Sequence, residues 1–97
     1  MSFENEAGRL RRLARAPDIL FFYTDHAEKE LKKDGIFKIT VENMLRKCAV
    51  TNVEDSDGEE SWRAEGNDND GRRIAAIVVP YEMHKEIKIV TGWAKTS

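Results

Sequence analysis

The chain has 97 residues, of which 40% are hydrophobic and 35% are charged. This length holds one domain with a single core and leaves no room for a separate cofactor-binding domain. Its apolar runs are too short for a membrane-spanning helix, and the polar, arginine-rich start predicts no secretory signal. The one cysteine, Cys48, has no partner for an internal disulfide, so we expect the reducing cytoplasm as the compartment.

The net charge of −2 conceals an uneven distribution along the chain. Residues 49–71 carry eight acidic side chains against Arg63 alone, a net charge of −7, whereas the segments before and after them carry +2 and +3. A charge run of this kind is usually a solvated hairpin. A second interpretation is that the hairpin contacts a basic partner, while the basic remainder is available for nucleic acid.

The opening segment is predicted to form a helix that Ser2 caps and Pro17 ends. Its apolar side chains recur at helical spacing, at Phe3, Ala7, Leu10 and Ala14. We describe residues 1–17 as a helical appendage to a domain of residues 18–97. The helix either docks on that domain and completes its core, or is the segment that a partner protein or RNA grips.

Two further helices are predicted before the chain changes its pattern. Ile19–Tyr23 is a short β-favouring run, interpreted as an edge strand or an extended lead-in. Asp25 and Glu28 then have the spacing of a capping box for a helix that Gly35 ends. A third helix is expected after Thr40.

From Ala49 onward the hydrophobic period is two, which predicts strands. The strands are expected at residues 51–54, 61–65, 72–81 and 86–94, with turns at 56–58 and 66–71. On the last strand, strict alternation puts one set of side chains on the same face: Ile87, Ile89, Thr91 and Trp93. We therefore predict an α+β fold, with two to three N-terminal helices packed on one face of a four-stranded, mainly antiparallel sheet.

Basic residues and a histidine form two candidate groups. His26 lies in the first turn of the second helix, and Lys29 and Lys33 follow on the same side. A histidine beside lysines can bind phosphate and move a proton near neutral pH, although a lone histidine is more often structural.

A second set of cations lies on the strands: Arg63, Arg72, Arg73 and Lys88. Arg63 and Lys88 alternate with apolar neighbours, which predicts that both lie on the sheet face without helices, where arginine can hold phosphate in bidentate fashion. Trp62 and Trp93 are either core residues or rings on which bases stack.

Metal binding is not predicted. An EF-hand loop placed on the tip at 66–71 fails, because its first and last ligand positions fall on Gly66 and Ile77. His26, His84 and Cys48 are too far apart in the sequence to form a zinc motif. The sequence has no P-loop and no glycine-rich dinucleotide loop.

Several short motifs together resemble a known family. They are Tyr23-Thr24-Asp25-His26-Ala27, Gly35-Ile36, Gly71-Arg72-Arg73-Ile74 and Ile87-Lys88-Ile89-Val90-Thr91. Over roughly residues 19–94 the chain resembles the bacterial family called domain of unknown function 4258, which is itself similar to the RelE/BrnT/MqsR-like toxins of toxin–antitoxin systems. In this chain Asp34 separates Lys33 from the Gly-Ile pair, where the family more often has Arg-Gly-Ile.

The resemblance implies a RelE-like, metal-free endoribonuclease without a cofactor, which cuts mRNA free or on the ribosome and is neutralised by a cognate antitoxin. Motif positions of the family match His26, Lys33, Arg73 and Thr91. Together with the layout of charges and rings, this predicts catalytic roles for His26, Arg63, Arg73 and Lys88, and substrate-binding roles for Lys29, Lys33, Thr91 and Trp93. The alternative is a non-enzymatic protein-binding or regulatory module that uses its acidic hairpin. A structural or phage-associated accessory protein is a third possibility.

Overall fold

A computed structural model describes residues 3–95 of the chain. Helices α1–α3 span Glu4–Ala14, Asp25–Lys33 and Lys38–Leu45, and strands β1–β5 span Leu20–Tyr23, Ala49–Ser56, Glu59–Asn67, Arg73–Tyr81 and Glu86–Ala94. The strands form one mixed sheet in the order β1-β5-β4-β3-β2. The α+β class is therefore confirmed.

The predicted number of four strands is wrong, because the sheet has a fifth strand at its edge. Strand β1 pairs in parallel with β5, from Leu20 opposite Glu86 to Tyr23 opposite Ile89. The other three neighbouring pairs are antiparallel. A strand of four residues whose partner lies more than sixty residues later gives no local signal of its pairing.

The core lies between the helices and one face of the sheet. The face is lined by alternate side chains of the strands, among them Trp62 of β3, Ile74 and Val78 of β4 and Ile89 of β5, all almost fully buried. Gly66 allows a close approach here, since a Cβ atom at this position would lie 2.7 Å from Cγ of Met44 in α3. We call the opposite side of the sheet the open face.

Helix α1 is part of this core. Leu10 and Ala14 have no exposed surface, and the helix packs on α3 and β2. The Arg11 guanidinium donates to the Cys48 carbonyl oxygen over 2.8 Å. The segment described from sequence as an appendage, residues 1–17, is thus docked over its described part. Ser2, the expected cap, lies outside the described residues, and Phe3 occupies the N-cap position.

Helix α2 begins one residue earlier than the capping box predicted. Thr24, not Asp25, is the N-cap, and its hydroxyl oxygen accepts from the Ala27 backbone N–H over 3.0 Å. Glu28 does not reach back to the cap but bonds Lys38 at the start of α3. The predicted box was wrong because both threonine and aspartate can cap a helix, and the chain path places Thr24 at the cap although aspartate is the stronger capping type.

Helix α2 also covers the edge of β5 that β1 leaves free. The Thr24 hydroxyl donates to the Val90 carbonyl oxygen over 2.8 Å, and the Asp34 carboxylate accepts from the Ala94 backbone N–H over 2.9 Å. These bonds satisfy backbone groups of an exposed sheet edge, which would otherwise invite pairing with another chain. Arg72 lies beside this helix end, where it donates to the Asp34 carbonyl oxygen over 3.0 Å.

Strand β5 contains a bulge that the sequence did not predict. Val78 pairs with Ile89 and Ile77 pairs with Thr91, so Val90 is an extra residue. Ile89 faces the core, but Thr91 and Trp93 are moved to the open face. The prediction that all four alternating side chains share one face is therefore wrong.

Candidate functional site

The open face is the polar and aromatic side of the sheet. Its side chains alternate with those of the core, and the strand register places the following among them: Arg63 and Glu65 on β3, Arg73, Ile77 and Val79 on β4, and Lys88, Thr91 and Trp93 on β5. Five of the eight residues predicted as functional, those on the strands, are thereby brought to one surface. The prediction that Arg63 and Lys88 share the face without helices is confirmed.

One end of the open face is organised around Glu65, which is only 6% exposed. Its carboxylate lies 3.0 Å from Nε of Arg63, 2.8 Å from Nζ of Lys95 and 3.8 Å from Nε of Arg73. The Thr51 hydroxyl donates to it over 2.8 Å. Burial by itself raises the pKa of Glu65, but the bonds from Lys95 and Thr51 and the nearby positive charges outweigh it, so the pKa lies below its usual value.

Trp93 stands beside this cluster. The Arg63 guanidinium carbon lies 5.1 Å from the centre of the indole ring, within the range of a cation–π contact. Trp93 is half-buried, whereas Trp62 is 1% exposed in the core on the other side of the sheet. Of the two interpretations given for the tryptophans, the core location is confirmed for Trp62, while Trp93 lies on the open face.

The other end of the open face holds a second polar group. Glu59 accepts from the Tyr81 hydroxyl over 2.6 Å and from Nζ of Lys88 over 3.2 Å. The bond to Tyr81 and then that to Lys88 lower the pKa of Glu59, while the bond to Glu59 raises the pKa of both partners. At neutral pH the group therefore contains a carboxylate, a phenol and an ammonium ion.

Two shallow depressions adjoin this second group. One, of about 370 Å³, is lined by Phe22, Tyr81, His84, Glu86 and Lys88. The other, of about 500 Å³, has an apolar floor of Ile77, Val79 and Val90 between Lys88 and Ser61. The two depressions share Lys88, so an extended ligand can run along the open face past this lysine.

The remaining predicted residues, His26, Lys29 and Lys33, lie exposed on α2 rather than on the sheet. Glu28 bonds Lys38 on the flank of α2 that faces α3. Because a helix turns about 100° per residue, His26 lies on nearly the opposite flank, away from α3. The structure thus separates these three residues, on a helix, from the five on the strands.

Sequence reasoning missed four residues of the site. Glu59 and Glu65 were assigned to the acidic hairpin as a whole, and Tyr81 and Lys95 were not considered. A local signal exists for Glu65, because it is two residues after Arg63 and so shares its face of β3. The acidic run is divided: Glu65 is buried, whereas Asp57 and Asp70 are exposed.

Within residues 3–95, no group of three or more histidine, cysteine, aspartate or glutamate side chains is placed to hold a metal ion. Over the same residues, no helix is long and apolar enough to cross a membrane.

The fold and the open face define an α+β protein with one helix-covered sheet face and one cation-bearing face. The chain belongs to the family described as domain of unknown function (DUF4258), whose sequence profile matches residues 23–91. This confirms the family resemblance drawn from the motifs and leaves α1 outside the matched region. No curated protein and no solved structure gave a significant match.

Proposed function

We propose that this protein is a metal-free endoribonuclease that cuts mRNA in the cytoplasm and is the toxin of a type II toxin–antitoxin pair, similar to the RelE-like toxins. One observation carries the proposal. The helices leave one face of the sheet uncovered, and that face presents Arg63, Arg73 and Lys88 together with the Trp93 ring. Cations that track a phosphate backbone, interleaved with aromatic rings, are what single-stranded RNA binding requires.

The cleavage step needs no cofactor. The ribose 2′-oxygen attacks the adjacent phosphorus, a base takes the 2′-OH proton, and the bond from phosphorus to the 5′-oxygen breaks. An acid protonates that 5′-oxygen, which leaves a 2′,3′-cyclic phosphate and a 5′-hydroxyl. Lys88 stabilises the charge that develops on the phosphoryl oxygens, as fixed cations do in other transferase and hydrolase sites.

The proton transfers need a group that titrates near neutral pH, which favours histidine. His26 is the residue that the family resemblance nominates. His84 lines the depression that also contains Tyr81 and Lys88. Lys88 itself serves as a charge rather than a base, because its bond to Glu59 raises its pKa.

The experiment is cleavage of a defined mRNA by the purified chain, with and without ribosomes. We expect fragments that end in a 2′,3′-cyclic phosphate and a loss of at least about a hundredfold in rate for Lys88→Gln. His26→Ala and His84→Ala are compared at equal soluble yield. Intact mRNA under both conditions contradicts the proposal, and so does a cleavage rate that Lys88→Gln leaves unchanged.

A growth experiment tests the same proposal in a bacterial host. Induced wild-type protein is expected to arrest growth, and co-expression of the neighbouring antitoxin gene is expected to restore it. If cells that express His26→Ala grow normally, His26 takes part in the chemistry. If His26→Ala still arrests growth but His84→Ala does not, the role belongs to His84.

A second candidate is a non-enzymatic protein-binding module. The observation that favours it is the end of edge strand β2 together with the turn that follows it, where Glu54, Asp55 and Asp57 are exposed. Such a surface fits a basic partner. Charge reversal at these three residues would abolish binding to that partner, while His26→Ala would leave it unchanged.

A further inference from the structure

The charges around Glu65 do not balance. Arg63, Arg73 and Lys95 all have their charged nitrogens within 4 Å of this one carboxylate. The local formal charge is therefore +2. The side chain of Glu65 is 7% exposed, whereas those of the three cations are 36–47% exposed, so the positive charge faces the solvent.

Other carboxylates in the described part of the chain are not surrounded in this way. Glu28, Glu59 and Glu82 each pair with a single cation, namely Lys38, Lys88 and Arg9. Among the described residues, Glu65 alone is shared by three. Because like charges a few ångströms apart repel, this arrangement costs free energy that a bound anion would recover.

The hydrogen bonds of the cluster are also incomplete. Nε of Arg63 is shielded from solvent and lies 3.0 Å from Oε2 of Glu65, but its hydrogen is not directed at that oxygen, and it has no other acceptor among the described residues. Glu65 in turn accepts from Lys95 and Thr51. The carboxylate is thus satisfied, while Nε of Arg63 is left without an acceptor in the described part of the chain.

An aromatic ring borders the positive charge. Trp93 lies opposite Ala75, which in turn lies opposite Glu65, so the three occupy one row across the sheet. The Arg63 guanidinium stacks on this ring at 5.1 Å. In a nucleotide, the phosphate can bind the guanidinium while the planar base next to it contacts the indole ring. A carboxylate side chain of a protein partner could bind the guanidinium but would leave the ring without a contact.

From this arrangement we infer that Arg63, Arg73 and Lys95, held by Glu65, form a binding site for the phosphate of a nucleotide in single-stranded RNA, with the adjoining base against Trp93. The inference rests on the proposed RNA substrate and names where one of its phosphates binds. The centre of the site, in the row of Glu65, Ala75 and Trp93, lies four residues along β4 from Val79, which pairs with Lys88. At roughly 7 Å per two residues of strand this is about 14 Å, with Arg63 in between. It is therefore separate from the Tyr81–Lys88 end, where we place the cleavage.

The test uses an oligonucleotide that cannot be cleaved, so that binding is measured apart from chemistry. A 2′-O-methyl RNA strand lacks the nucleophile, and its binding is followed by tryptophan fluorescence. We expect quenching in the wild type that is lost in Trp93→Phe, because the remaining Trp62 is buried. Arg73→Gln and Lys95→Gln are each expected to weaken binding at least about tenfold.

The matched control is Lys47→Gln, which removes an exposed cation outside the open face and is expected to leave binding unchanged. Each cation lost from the site should also reduce the slope of log K against log salt by about 0.7. Arg73→Lys, which keeps the charge, should recover most of the affinity. Circular dichroism confirms that each variant is folded.

Four outcomes overturn the inference. The first is no binding of the oligonucleotide by the wild type, and the second is that Arg73→Gln and Lys95→Gln bind it as tightly as Lys47→Gln does. The third is fluorescence quenching that persists in Trp93→Phe. The fourth is binding of inorganic phosphate without binding of the oligonucleotide. Parallel cleavage of unmodified mRNA separates the two proposals. Binding without cleavage supports this site and contradicts the nuclease, whereas cleavage that Arg73→Gln and Lys95→Gln do not affect contradicts the site alone.

Discussion

Replacing Leu10 by alanine is expected to destabilise the whole domain, although Leu10 lies outside the region that the family profile matches. The side chain has no exposed surface and belongs to the same core cluster as the sheet residues. Leucine-to-alanine changes at such positions cost about 2–5 kcal/mol, of which part is the cavity left behind. A domain of this size has a total stability of only about 5–15 kcal/mol.

The expected loss of about 3 kcal/mol corresponds to a fall in Tm of roughly 10–25 °C. Thermal melting followed by circular dichroism measures it, with Arg12→Ala on the exposed side of the same helix as the control. A chain truncated to residues 18–97 should lose the cooperative transition. If Leu10→Ala and Arg12→Ala melt together, or if the truncated chain melts like the full one, then α1 does not stabilise the core as its burial implies.

Three further predictions concern the interior and the open face. Glu65→Gln should lower the free energy of unfolding by about 1–3 kcal/mol at pH 7. Because the pKa of Glu65 is lowered in the folded state, its contribution to stability is present above the unfolded pKa of about 4.3 and is lost as the pH falls through the folded pKa. Urea titrations of variant and wild type should therefore converge at low pH, and an equal difference in unfolding free energy at pH 7 and at low pH would contradict this. Gly92→Ala should destabilise by about 1–3 kcal/mol, since its Cβ would lie 2.7 Å from Cδ2 of Leu31. Gly8→Ala, in an open part of α1, should stabilise slightly. Chemical denaturation measures both, and a neutral Gly92→Ala would show that the Leu31 side chain shifts without cost. The thiol of Cys48 should not react with a thiol reagent until the chain unfolds, because burial raises its pKa to about 11; modification in the absence of denaturant at the rate of a free thiol would show that the core opens.

Local periodicity determined much of this fold. The spacing of Ala27 and Leu31 predicts the buried face of α2, and both are buried. The Asp57-Gly58 pair predicts a turn, and both residues have the positive φ, 54° and 79°, that a tight hairpin uses. The alternation around Arg63 correctly placed it on the face without helices. Each of these features is decided by neighbours within a few residues, which is why a sequence pattern contains it.

Long-range packing decided the rest. The bulge at Val90 moves Trp93 to the open face, although the strict alternation from Ile87 to Trp93 predicts the same face as Ile87. The docking of α1 and the parallel pairing of β1 join segments far apart in the chain. Glu65 is likewise an ordinary acid of an acidic run until the sheet brings Lys95 to it from just beyond the end of β5. A sequence shows which side chains share a face, but what covers that face, and which charges meet there, depends on contacts that only the folded chain makes.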